Sequence, residues 1–92
     1  MENIDFEKIH KIHFIGIGGI SMSGIAIIMK KFGYDVTGSD ISENDMVKIV
    51  RSENIPVSIG SNITNVLNSD IVVYTAAIPS TDVELVTAKE HN

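Results

Sequence analysis

The 92-residue chain has no cysteine and no tryptophan. The first absence removes any disulfide framework, thiolate metal site or thiol nucleophile, and it fits a cytoplasmic location. Positive charge is scarce as well: seven Lys and Arg against twelve Asp and Glu give a formal net charge of −5. The basic residues are scattered, with only Lys30 and Lys31 adjacent, which argues against nucleic acid as a partner. No apolar run approaches the ~20 residues that span a bilayer, so no membrane partner is expected. The start, Met1-Glu2-Asn3-Ile4-Asp5, lacks the basic and apolar regions of a secretory leader. There is no Gly-x-x-x-x-Gly-Lys-Ser/Thr segment for ATP, no nucleophile elbow and no Ser/His/Asp spacing. His10, His13 and His91 do not share a metal-ligand spacing, and structural roles are expected for them.

What is present is an alternation of strand and helix signals of the size of one domain, with 43% hydrophobic residues. Residues 11–17 read as a first strand, nearly continuous in apolar character as buried parallel strands are. Residues 21–32 read as a helix with Met22, Ile25, Ala26, Met29 and Phe32 on one face and Gly33 as its stop. Residues 35–39 form a second strand. Ser42-Glu43-Asn44-Asp45 resembles a capping box opening a helix to about residue 53. A short strand at 56–59, a short helix at 62–67, a strand at 70–76 and a helix opened by a second capping box, Thr81-Asp82-Val83-Glu84, complete the pattern. Right-handed crossovers then give a Rossmann-like three-layer α/β domain, a parallel sheet of about four to five strands in the order 3-2-1-4 flanked by helices. Ligands bind such sheets where the order reverses, between the carboxyl ends of strands one and four.

The glycine-rich turn between the first strand and helix carries most of the functional signal. It brings bare backbone N–H groups to a positive helix end, a phosphate site that needs no basic side chain. Gly16 permits the turn, Gly18 lets the backbone approach a pyrophosphate, Gly19 adds freedom, and Gly24 is expected to let the helix pack closely on the sheet. Ser21 sits where the third glycine of Gly-x-Gly-x-x-Gly would fall. Ser21 and Ser23 read either as hydroxyl donors to phosphate or as helix-start residues. Ser39 and Asp40 end the second strand, where an acidic residue often meets ribose hydroxyls, although Asp is also common in turns. Thr75, Ala76 and Ala77 follow the last strand, either leaving room for a ligand or simply packing closely.

Gly-Ile-Gly-Gly-x-x-Met-Ser-Gly-Ile-Ala at 16–26 continues into Gly33-Tyr34-x-Val36-x-Gly38-Ser39-Asp40, Ile59-Gly60, Val72-Val73-Tyr74-Thr75-Ala76-Ala77-Ile78 and Glu84-Leu85-Val86-x-Ala88. Together these segments resemble the start of the Mur ligases, nearest to the branch that joins L-alanine to UDP-N-acetylmuramate. The resemblance runs from residue 11 onward. It implies that residues 1–92 are the N-terminal, UDP-sugar-binding part of a three-domain cytoplasmic enzyme of peptidoglycan precursor synthesis. In that enzyme ATP and Mg²⁺ bind a central domain absent here, and the muramoyl carboxylate is activated as an acyl phosphate that the amine of L-alanine attacks. The chain alone is then expected to be inactive, with no catalytic residue, metal ligand or cofactor of its own. By position, Gly16, Ile17, Gly18, Gly19, Ile20, Ser21, Met22 and Ser23 would cradle the diphosphate. Ser39 and Asp40 would lie near the uridine, and Thr75, Ala76 and Ala77 would complete the pocket. Ser21 and Ser61 depart from the Gly and His usual in the family. Three other readings stand beside this one: a branch that recycles murein tripeptide, an NAD-binding Rossmann module, and an assembly module with no nucleotide ligand.

Overall fold

The computed structural model describes residues 6–91; residues 1–5, read above as lacking a leader, and Asn92 lie outside them. In strand β1 (Lys11–Ile15) the four residues after Lys11 are all buried, which requires cover on both faces. Its side chains alternate. Ile12 and Phe14 enter a core with Met22, Ala26, Val36, Val50 and Ile55, while His13 and Ile15 face the other way. Helix α1 (Ile20–Lys31) leads to β2 (Asp35–Asp40), α2 (Asp45–Ser52), β3 (Val57–Ile59), α3 (Ile63–Asn68), β4 (Ile71–Val73) and α4 (Val83–His91).

The four strands among the described residues pair in parallel in the order β3-β2-β1-β4, as expected from the sequence. Right-handed connections that first run outward from β1 and then return across it put α1 and α2 on one face and α3 and α4 on the other. Accordingly α1 packs on α2, and α3 on α4. No helix among the described residues is long and apolar enough to cross a membrane.

Several boundaries differ from the sequence expectation for local reasons. β1 stops at Ile15 rather than residue 17 because Gly16 takes φ +76°, which no strand continues through. β4 stops at Val73 rather than 76 because its register ends at Phe14↔Val73. Beyond that point the β1 chain turns to β2, its Gly16 and Ile17 amides both donating to the Ser39 carbonyl, so β4 has no further partner. The caps also move. Asn44, not Ser42, accepts from the Val47 amide at 2.8 Å, and Asp82, not Thr81, accepts from Leu85 at 3.0 Å. Glu43 is taken up by an ion pair with Arg51.

On α1 the inward arc runs through Met22, Ser23 and Ala26, leaving Ile25 half-exposed and Phe32, the C-cap, largely exposed. Gly33 follows as expected. Its amide bonds Lys30 and that of Tyr34 bonds Met29, a Schellman closure. Gly24 does not serve close packing: a Cβ there would meet nothing within 4 Å. Gly24→Ala should therefore raise stability by about 0.5–1 kcal/mol, read as a higher midpoint in urea with an unchanged slope.

Candidate functional site

The strand order reverses beside β1, and there a cleft of about 640 Å³ opens above the carboxyl ends of the strands. The glycine turn forms one wall, the end of β2 and the Asn44 cap a second, and residues 75–82 a third.

The glycine turn is built by contacts that the flanking strands dictate. Ile17 is fully buried and seats its side chain on β2 at Gly38, where an added Cβ would lie 2.4 Å from Ile17 Cδ1 and 2.7 Å from its Cβ. Gly38 is thus the hole that receives Ile17. With Ile17 pinned, the Gly19 amide closes back on the Gly16 carbonyl, and the Ser23 amide makes the first helical bond to Gly19. Gly19 has no side chain to cap α1 and the first turn holds no acidic residue. The amides of Ile20, Ser21 and Met22 therefore occupy the positions that find no acceptor within a helix, at the positive end of its dipole. No Lys, Arg or His lines the cleft among the described residues. Its attraction for an anion rests on backbone alone.

The opposite end carries a carboxylate acceptor, Asp40. Asp40 Oδ2 accepts from the Gly18 amide at 2.8 Å, and Oδ1 accepts from the Ile41 amide at 2.8 Å. Asp40 therefore serves the turn and clamps the glycine loop together. The Gly18 amide, which the sequence reading offered to a pyrophosphate, is directed to Asp40 instead. A Cβ on Gly18 would strike Asp40 Oδ2 at 2.6 Å and the Asn44 amide group at 2.8 Å.

Beneath the cleft lies a polar network that links all four strand–helix units. Glu84, at the start of α4, is 1% exposed. Its Oε1 accepts from Ser39 Oγ at 2.6 Å and from His13 Nε2 at 2.9 Å, and its Oε2 accepts from the Asn62 amide at 2.6 Å. His13 Nδ1 lies 2.7 Å from Thr37 Oγ1. His13 thus has the structural role expected of it. Glu84 was missed, having been read only as a capping-box residue. The usable signal was His13 itself, since a polar side chain inside an apolar buried strand must find partners.

Burial pushes the Glu84 carboxyl up, but the bonds from His13, Ser39 and Asn62 outweigh it and hold it below its ordinary value. Asp70 is also lowered, by accepting the His10 and Lys11 amides at the head of β1. Both carboxyls titrate lower in the folded chain than in the unfolded one. Their stabilisation is therefore complete above the ordinary carboxylate range and is lost as pH falls through the folded values. The melting temperature by circular dichroism should stay level, as far as these groups are concerned, from neutrality to about pH 5 and fall below about pH 4.

Of the residues proposed from sequence, Gly16, Gly18, Gly19, Ile20, Ser21, Met22, Ser39, Asp40, Thr75 and Ala77 line the cleft. Ile17 and Ser23 do not. Both are wholly buried, and the Ser23 hydroxyl donates to the Ile20 carbonyl at 2.9 Å, so it neither faces the cleft nor caps a free amide at the helix start. Ala76 is exposed and lies outside the lining. The loop at 75–79, expected from the sequence to border the crevice, does so through Ile78 and Pro79 as well, while sequence reasoning missed Ile41, Asn44 and Asp82, which line the cleft through loop geometry that no local pattern encodes. Gly60 and the departing Ser61 line it as well.

Residues 11–92 match the model of the Mur ligase family, catalytic domain. The chain is 51% identical over 86 residues to a UDP-N-acetylmuramate–L-alanine ligase of Clostridium beijerinckii, covering 94% of this chain and 19% of that protein. It is 48% identical over 84 residues to the enzyme of the same name from Hydrogenobaculum, covering 91% and 19%. The crystal structure of UDP-N-acetylmuramate–alanine ligase from Thermotoga maritima superposes with a TM-score of 0.81 at 38% identity, over 87% of this chain and 19% of that one. The UDP-N-acetylmuramate:L-alanyl-γ-D-glutamyl-meso-diaminopimelate ligase of Neisseria meningitidis follows at a TM-score of 0.73 and 29% identity, over 87% and 25%. The chain spans about a fifth of the length of the curated relatives it matches.

Proposed function

The chain belongs to the Mur ligase family, and from that premise we propose that it is the N-terminal, UDP-N-acetylmuramate-binding domain of a UDP-N-acetylmuramate–L-alanine ligase. The observation that carries this reading is the uncapped start of α1, opened by the glycine turn onto a cleft with no cationic lining. Such a wall suits a diphosphate held by amides and a helix dipole. Gly16, Gly19, Ile20, Ser21 and Met22 take the diphosphate. Ser39 and Asp40 take the uridine end, and Thr75 and Ala77 close the pocket. Higher identity to proteins named as alanine ligases than to the L-alanyl-γ-D-glutamyl-meso-diaminopimelate ligase structure supports the alanine branch.

In this reading the chain binds and orients the nucleotide sugar and leaves the chemistry elsewhere. ATP and Mg²⁺ belong to other parts of the longer enzyme, since the chain has no phosphate loop with a Gly-Lys-Ser/Thr ending. Activation of the muramoyl carboxylate and attack by L-alanine, in the cytoplasmic stage of peptidoglycan synthesis, are then properties of the whole protein. Amide chemical-shift mapping with UDP tests the assignment. The largest shifts are expected at residues 19–22, with smaller ones at 39–40 and 75–77. Shifts confined to the α3–α4 face would overturn it.

A further inference from the structure

Resting on that reading of the cleft, we infer that Glu84 is a positioning residue that sets the hydrogen-bond polarity of Ser39. It makes one end of the cleft selective for a hydrogen-bond donor on the ligand and unreceptive to phosphate.

The argument is one of counting hydrogens. A serine hydroxyl has one hydrogen to donate and two lone pairs to accept with. An ionised carboxylate only accepts. Ser39 Oγ lies 2.6 Å from Glu84 Oε1, the short distance of a charge-assisted bond, so the hydrogen of Ser39 is committed to Glu84. Any bond that Ser39 makes to a ligand must then be one it accepts. The commitment is held on every side. His13 Nε2 donates to the same Oε1, the Asn62 amide donates to Oε2, and neither carboxylate oxygen is free to turn away. Glu84 comes from α4, and its partners come from β1, β2 and the turn before α3. Docking α4 and fixing Ser39 are thus one event.

The neighbouring Asp40 is also acceptor-only, so the two β2 side chains at the cleft, Ser39 and Asp40, offer it lone pairs alone. The α1 end offers the free amide hydrogens of Ile20, Ser21 and Met22, beside the Ser21 hydroxyl. This polarity assigns the ligand a direction. Its phosphates lie at α1, and its donor groups, a ribose hydroxyl or a ring N–H, lie at Ser39. Glu84 itself contributes by fixing which way the Ser39 hydroxyl points.

Two probes separate this from a merely structural role: UDP, which carries both ends, and inorganic pyrophosphate, which carries only the anionic one. Ser39→Ala should weaken UDP about three- to tenfold, the range for one hydrogen bond, and leave pyrophosphate unchanged. Glu84→Ala should do the same, and the double variant should bind UDP no worse than Glu84→Ala alone, because Glu84 acts through Ser39. In the ligand-free wild type, proton NMR should show a slowly exchanging Ser39 hydroxyl, which decides the matter even where Glu84→Ala does not fold. Equal losses for both probes, additive losses in the double variant, or a Ser39 hydroxyl in fast exchange would each overturn the inference. A wild-type chain that binds neither probe would instead overturn the reading of the cleft on which it rests.

Discussion

Gly18→Val is expected to abolish useful UDP binding, at least about a 100-fold loss or ~2.7 kcal/mol, while the chain still folds. The first added carbon falls 2.6 Å from Asp40 Oδ2 and within 2.9 Å of both polar atoms of the Asn44 side chain. Both neighbours can swing away, but each leaves a bond behind. Asp40 releases the Gly18 amide that closes the glycine loop. Asn44 releases the Val47 amide that it caps, at a cost of about 1 kcal/mol. The two methyl groups then project where the loop faces the cleft. Gly18 does not have positive φ, so no backbone strain is added and the fold survives. Calorimetric titration with UDP, paired with a thermal melt, separates the two effects. Unchanged affinity would contradict the placement of the loop.

Gly38→Val should produce the largest loss of stability outside the central core, about 3 kcal/mol or more. Here the obstacle is not the tip of a flexible chain. The new Cβ would sit 2.4 Å from Ile17 Cδ1 and 2.7 Å from Ile17 Cβ, and Ile17 is wholly buried, so it has no room to retreat. Relief requires the residue after the positive-φ turn to lift off the sheet, which pulls the Gly16 and Ile17 amides from the Ser39 carbonyl. For a chain whose total stability is of the order of 5–14 kcal/mol, this removes a large fraction. The melting temperature should fall by roughly 10–25 °C. A Gly38→Val chain that melts with the wild type would show that the seat of Ile17 is not needed.

These two glycines mark the division between what local pattern records and what it cannot. The turn at Gly16, the stop at Gly33 and the strand–helix alternation are local, and they were legible along with the strand order they imply. The role of Gly38 was hidden because its partner, Ile17, lies 21 positions away. Glu84 and His13 are 71 positions apart, and nothing near either residue announces the other. The end of β4 was overestimated because Tyr74 and Thr75 suit a strand, whereas a strand also needs a neighbour, and β1 had already turned toward β2. Ile25 and Phe32 fit a helical stripe whose buried arc the packing against the sheet rotates toward Ser23. Residues 75–82 form a wall through tertiary placement alone, so the cleft's third side was only partly foreseen.

The central claim is that the amides opening α1 hold the diphosphate of a UDP-sugar. The most direct test is a calorimetric titration of the chain with UDP-N-acetylmuramate and, in parallel, with NAD. Saturable binding of the UDP-sugar, lost in Gly18→Val, with no heat from NAD, is the predicted result. Binding of NAD with silence from the UDP-sugar would contradict the account and make the cleft a dinucleotide site.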